Sequence, residues 1–406
     1  MRIPDLDWLV EDWSSLDVPV GWEAIAELCR RVGRRSDQVV HAIVTRIREE
    51  LPEYRSEVPV STADLRMSVR SNVVMMLRGT AERRGPTAAE LEIRRELGVR
   101  RADQGLAVNM LLQAFVVGYR ELWNNLLRES RSDAPEVRDL LLSAAATIWE
   151  WVHEVTNAVG TAYHERIRQS AVQTSARRER LFDCLLGGGH DEDEVRAIAH
   201  SLGFHAQRRF RALAASVEAG DSALVANVNT RLCAISSQQH AVRRGDALLV
   251  LAQDSGLERL LRMLKDVLGE VAIGVGATRQ GLHGAALSLG DAERALAVAR
   301  RSNRVADFER DWQSAMVVAS EHRLTDLLTP GITQARQHPE LARTVRAFAD
   351  SRFSMSETAR QLHVHTNTVA YRLARWTELT SWDPRTYDGL LRSIAAFVLA
   401  DGVSLD

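Results

Sequence analysis

Near the carboxyl end of the chain, in "HVHTNTVAYRLARW", stand Asn367, Thr368, Tyr371, Arg372 and Arg375, separated by steps of one, three, one and three residues. On a helix those steps gather the five side chains on one polar side. Each type can read or grip duplex DNA. An asparagine amide presents a donor and an acceptor to adenine, and an arginine presents two donors to guanine. Threonine offers a hydroxyl and a methyl group, and a tyrosine hydroxyl can donate to a phosphate. His365 and Thr366, immediately ahead, complete a set at the N-terminal end of the helix, the part that enters a major groove. An ordinary corner of a helical protein can carry the same polar residues, so the neighbouring elements must decide.

Those elements read as two short helices joined by a tight turn. Ser354 followed by Glu357 makes a capping box that starts the first helix, expected to end near Leu362. His363, Val364 and His365 form the turn, and Thr366 is the expected N-cap of the second helix. Ala359 falls at the crossing, where only a small side chain fits. Val364 plugs the turn, and Val369, Leu373 and Trp376 point inward at steps of four and three. A preceding helix carries Leu341, Val345 and Phe348 on one face. Asp383-Pro384 opens a following helix with Leu391, Ile394 and Val398 as its apolar face. Between Arg343 and Trp376 six arginines stand against Asp350 and Glu357, a local positive balance that suits phosphate contact.

The stretch "RTVRAFADSRFSMSETARQLHVHTNTVAYRLARWTELTSWDPR" resembles the C-terminal helix-turn-helix of PucR-family (CdaR-like) bacterial transcription regulators. His363-Val364-His365, Asn367-Thr368 and Tyr371-Arg372-Leu373 carry the likeness. Thr366 stands where the family usually has Arg, Trp376 replaces a smaller aliphatic residue, and Ser381 stands where Gly follows the Leu-Thr pair. Upstream, "GVGATRQGLHGAALSLGDAERALAVARR" resembles the family's degenerate nucleotide-cyclase-like (GGDEF-type) module. Active cyclases of that type carry Gly-Gly-Asp/Glu-Glu-Phe at a hairpin tip. Here the tip is Arg244-Gly245-Asp246-Ala247-Leu248, and its one Asp cannot supply the converging carboxylates that metal-assisted phosphoryl transfer needs. The resemblance therefore implies no catalytic residue. The helical N-terminal region resembles the non-haem, globin-related sensor domains of stress-response co-antagonist proteins.

The expected fold class is multidomain and mainly α. Residues 1–170 read as a helical sensor and dimerisation domain, 171–310 as a degenerate GGDEF-like α/β domain, 311–339 as a helical linker, and 340–406 as the all-α DNA-binding domain. Beyond Pro135 a long helix runs toward Leu186. Its Val137, Leu141, Ala144, Ile148, Trp151, Val155, Ala158 and Ala162 follow alternating steps of four and three, a seam for the domain's own core or for a second subunit. In the middle region "RRFRALAASV" and "EVAIGVGAT" alternate as strands do, and "QHAVRRGDALLVLAQ" reads as two strands about an Arg-Arg-Gly-Asp turn. Pro330-Gly331 should end the linker helix.

Other chemistry is poorly supported. Cys29, Cys184 and Cys233 are far apart and form no CxxC. His363 and His365 could offer a metal two nitrogens, but no third ligand is near, and no metal or cofactor is expected. The glycine runs lack the spacing of a phosphate loop. His153, Tyr163 and His164 on the long helix read as structural, and Trp8, Trp13, Trp22, Trp123, Trp149 and Trp151 as core. The stretch "MRIPDLDWLV" has no leader-like basic start, and no apolar run reaches membrane-span length. The net charge is −2 and Lys265 is the single lysine, so an Arg at a given site says little by its identity. The reading is a cytoplasmic, sequence-specific, effector-responsive transcriptional regulator, and not an enzyme. Its expected partners are double-stranded DNA, a further copy of itself (homodimer or higher) and an unidentified small-molecule effector, with no membrane. The competing reading is a stress-signalling scaffold or co-antagonist acting through protein–protein contacts.

Overall fold

The computed structural model describes residue 13 and residues 16–188, 191–218, 222–253, 256–302 and 304–400. The stretch inspected for a leader, Trp8 and part of the "GGGHDEDE" run lie outside the described residues. The chain divides into two compact units, Met1–Gln173 and Thr174–Asp406.

The first unit is all helical: α1 (Glu23–Arg34), α2 (Ser36–Glu50), α3 (Thr62–Ala81), α4 (Ala88–Asp103), α5 (Val108–Glu129) and the first part of α6 (Pro135–Gly187). Local chemistry sets the starts. Thr87 and Glu90 form a reciprocal capping box on α4, and Ser61 Oγ accepts from the Asp64 N–H at the head of α3. Pro135 opens α6, where its missing N–H costs nothing. Leu141, Ala144, Ile148, Trp151 and Val155 are all buried in this unit's own core. The four-three seam of α6 thus faces inward, which resolves the choice left open by the spacing. Another face of α6 leaves Leu142 65% and Trp149 71% exposed.

In the second unit a mixed sheet runs β2 (Gln239–Arg244), β3 (Ala247–Gln253), β1 (Arg209–Ser216), β4 (Ile273–Val275), β6 (Val305–Asp307), with the short β5 (Arg279–Gln280) also pairing with β1. The β2–β3, β3–β1 and β1–β4 pairs are antiparallel, and β4–β6 is parallel. Alternate side chains face two cores. Phe210, Ala212, Ala214, Leu249 and Leu251 pack with α7 (Glu192–Ser201), the end of α6 and α10 (Gly281–Ser302). Leu213, Ala215, Leu248, Val250 and Ile273 pack with α8 (Ser222–Ile235) and α9 (Leu257–Leu268). The "GVG" glycines serve packing here. A Cβ on Gly274 would stand 2.2 Å from the Leu296 nitrogen, and one on Gly276 would stand 2.1 Å from the Ser288 carbonyl, so α10 lies directly on the sheet backbone.

Beyond the sheet come α11 (Phe308–Ala319), α12 (Glu321–Gln337), α13 (Pro339–Asp350), α14 (Met355–Gln361), α15 (Thr366–Thr380) and α16 (Tyr387–Ala400). One expectation fails here. Pro330-Gly331 does not stop the helix; α12 continues through both to Gln337. Leu328, Gly331 and Ala335 bury their face against α16 and its approach, and a Cβ on Gly331 would stand 2.2 Å from the Trp382 ring. That burial outweighs the hydrogen bond Pro330 forgoes. The stretch expected as a linker is therefore part of the last core.

Candidate nucleic-acid interface

The geometry around the polar helix is set by its turns. At the end of α14, Val364 N–H donates to Ala359 O at 2.9 Å and His363 N–H to Arg360 O at 3.2 Å, with His363 left-handed at φ 54°. This is a Schellman closure, with His363 where glycine is favoured. It turns the chain sharply enough that only four residues separate α14 from α15. Ala359 and Thr358 are buried on α14, which packs against α15. Ser354 Oγ accepts from the Glu357 N–H at 3.3 Å, but the Glu357 carboxylate pairs with Arg360 and does not complete a capping box.

The cap of α15 also differs from expectation. His365 is the N-cap: its Nδ1 accepts from the Asn367 N–H at 3.2 Å, and Thr366 is already the first helical residue. The imidazole takes the amide two residues on, as an N-cap side chain does, so the helix begins one residue earlier than a Thr366 cap would place it.

Val369, Leu373 and Trp376 are fully buried, and Trp376 Nε1 donates to Ser393 Oγ at 2.9 Å on α16. The small Ser393 and an edge-on Phe397 ring at 5.1 Å give the large indole its place. Facing that hydroxyl turns Ser393, Ala396 and Phe397 of α16 inward, and Leu391, expected on the apolar face, is 55% exposed. The end of α15 carries Ser381 in the left-handed region at φ 64°, its N–H donating to Thr377 O at 2.8 Å. That conformation favours glycine, so Ser381→Gly should stabilise this core by about 1 kcal/mol in denaturant unfolding of the full chain.

The outer side of α15 is open. His365, Thr366, Asn367 and Tyr371 are exposed, Tyr371 by 67%. Thr368 and Arg375 are half-buried, and Arg375 pairs with Glu378 at 2.6 Å. Arg372 departs from the expected face. It lies toward α13, where its Nη1 donates to Thr344 Oγ1 at 3.3 Å. A helix turns 100° per residue, which places Arg372 beside the buried stripe while Asn367, Tyr371 and Arg375 stand opposite it. Arg343 and Arg352, both exposed, have no ion pair among the described residues. Only their charge could have singled them out.

The cyclase-like hairpin turns on Gly245-Asp246, the last two residues of the expected Arg-Arg-Gly-Asp turn, with both arginines in β2 and Gly245 at φ 57°. The Asp246 carboxylate pairs with Arg300 of α10 at 2.9 Å, which holds it below the usual carboxylate range, and Arg244 pairs with Asp183. The tip is thus tied into the protein's own charges. Behind it, Arg178 of α6 donates to His240 Nδ1 at 3.0 Å while His240 Nε2 meets Leu202 O at 2.7 Å. Burial, and then Arg178 itself, lower the His240 pKa, against the opposing pull of the Leu202 carbonyl. The folded state thus prefers neutral imidazole. Its contribution to stability is complete above the unfolded value of about 6.5 and is lost as pH falls toward the lower folded value. His240→Gln should accordingly flatten the acid side of the stability–pH curve, measured by thermal unfolding.

No helix among the described residues is long and apolar enough to cross a membrane. Family models match three stretches of the chain. Residues 37–178 match the RsbT co-antagonist protein rsbRD N-terminal domain, 187–298 a GGDEF-like domain, and 341–399 the PucR C-terminal helix-turn-helix domain. Among curated proteins, YsfB of Bacillus subtilis (strain 168) is 31% identical over 118 residues, 27% of this chain and 30% of the relative. The chain thus spans about a third of the curated relative's length. Among solved structures, a regulator of polyketide synthase expression from Bifidobacterium adolescentis aligns at 21% identity and a TM-score of 0.33, over 54% of this chain and 90% of that one. An rsbRD-type domain, a GGDEF-like domain and a PucR helix-turn-helix follow one another in this single chain, and that is the domain architecture of a PucR-like regulator.

Proposed function

We propose that the protein is a DNA-binding transcriptional regulator that acts as a homodimer or higher oligomer and responds to a small-molecule effector. The observation that carries the reading is the open side of α15, where Asn367 and Tyr371 are free on a helix whose other side is locked by Trp376, Leu373 and Val369. His365, Thr366, Thr368, Arg372 and Arg375 belong to the proposed contact set, with Arg372 at its edge and also supporting α13. The domains are regulator-type, and the internally paired hairpin tip gives no support to turnover.

Binding of a labelled duplex from upstream of the protein's own gene tests the reading, against a scrambled duplex of equal composition. Preference for the native sequence supports it; equal affinity for both favours the scaffold alternative.

Oligomerisation is supported by Leu142 and Trp149, one heptad apart and both exposed on α6. Two large apolar side chains exposed on one face of a helix suit a self-complementary contact. Trp149→Asp should shift the chain toward monomer in sedimentation and weaken duplex binding while leaving the helical content unchanged.

A further inference from the structure

The first unit holds a small cavity between α2, α3, α4 and α5, with about 50 Å³ of free volume. Its wall is mostly apolar and includes Leu97, Leu111 and Phe115. Among the described residues the one charged side chain on that wall is Arg101, and Asp64 already neutralises it. Empty space in a core lowers stability, and two features set this space apart from a packing fault.

The first is Gly118. A glycine inside a helix is destabilising relative to alanine, so it calls for a reason. Gly79 and Gly98 of the same unit have one. A Cβ on them would stand 2.7 Å from the Trp151 indole nitrogen and 2.4 Å from the Val159 carbonyl oxygen. Gly118 on α5 has no such crowding. It lines the cavity, and its Cβ would meet one atom within 4 Å, Cγ2 of Ile43 on another part of the wall, at an ordinary 3.6 Å. Alanine would fit there and take up part of the space, which the glycine leaves open.

The second is a pair of unsatisfied donors. Tyr54, just after α2, is 2% exposed, yet its hydroxyl has no hydrogen-bond partner among the described residues and is not sealed off by its neighbours. The free space it opens onto is the cavity that Tyr54 lines. Burial pushes its phenol up to about 12, against the pull of Arg101, so the hydroxyl keeps its proton. Asn72 lines the same cavity. Its Oδ1 accepts from Tyr119 Oη at 3.4 Å, and its amide nitrogen has no partner among the described residues. Free donors on an otherwise apolar wall call for an acceptor, and the absence of a free charge calls for a neutral one.

We propose that this cavity binds a short-chain alcohol, its hydrocarbon end beside Gly118 and Ile43 and its oxygen accepting from the Tyr54 hydroxyl. The size follows from the space: about 150 Å³ accommodates benzene, so this cavity suits about two or three non-hydrogen atoms. The assignment rests on the reading of the protein as effector-responsive and names the site and chemical class of that effector.

The test is thermal unfolding of the full chain with ethanol, compared with acetate, of similar size but charged, and with cyclohexanol, too large for the space. So small a ligand binds no tighter than about the millimolar range, which sets the working concentration at about 50 mM. Ethanol should raise the melting temperature and saturate, as a ligand of the native state does, and the other two should not. Gly118→Ala should melt roughly 2–4 °C above the natural chain without ethanol and respond to ethanol weakly or not at all. Tyr54→Phe, which removes only the unpartnered hydroxyl, should weaken the apparent ethanol affinity roughly three- to tenfold. A Gly118→Ala chain that melts lower, or an undiminished ethanol response in either variant, would overturn the site. Equal shifts from acetate or cyclohexanol, or no shift from ethanol in the natural chain, would overturn it as well. Duplex binding is read separately. An ethanol-induced shift without change in duplex affinity keeps the site and removes the effector reading.

Discussion

Replacing Asn367 by Ala should weaken binding to the operator-bearing duplex by about 1–3 kcal/mol, roughly five- to 150-fold, without lowering the melting temperature. The asymmetry follows from geometry. The Asn367 side chain is exposed, and only its backbone N–H takes part in the cap. Tyr371→Phe should act differently, weakening native and scrambled duplexes alike, because a phenol donating to phosphate reads no base. Arg372→Ala should cost both affinity and stability, since the guanidinium also ties α15 to Thr344 of α13. Affinity measured beside unfolding for these three variants separates base reading, backbone grip and scaffold support.

The second large effect lies in the middle domain. Gly274→Ala should destabilise it by about 3 kcal/mol, the upper part of the range for overpacking a rigid core. The added methyl would meet Leu296 N at 2.2 Å and Ala292 O at 2.3 Å, and both are main-chain atoms of α10 that cannot rotate away. Gly290→Ala on the same helix should have the opposite sign, a gain of about 0.5–1 kcal/mol. Its methyl would meet only the far end of the Arg294 side chain, which can swing aside. Denaturant unfolding of both variants tells whether α10 owes its position to the glycine or merely tolerates it.

These two cases also show what the chain made legible. Strand alternation in "RRFRALAASV" and the Arg-Arg-Gly-Asp turn appear in the fold as β1 and the β2–β3 hairpin, because local pattern and burial agree there. The inward row of α15 was equally plain from its steps of four and three. What escaped was decided at a distance. Pro330 stays inside α12 because Trp382 and Ala396 pack on Gly331, and they lie more than fifty residues away in sequence. Arg372 also supports the fold, because one of its Nη atoms donates to Thr344 on another helix, which its own neighbours in sequence do not reveal. The cap lies at His365 and not Thr366, because the imidazole accepts from the Asn367 amide and so starts the helix one residue earlier.

The central claim is that α15 lies in the major groove with Asn367 and Tyr371 against the duplex. Methylation interference on the bound upstream fragment tests it most directly. Methyl groups on guanine N7, which project into the major groove, should block binding in two clusters about one helical turn apart, roughly 34 Å. Minor-groove methylation at adenine N3 should leave binding intact. Interference confined to the minor groove, or none at guanine N7, would contradict the account.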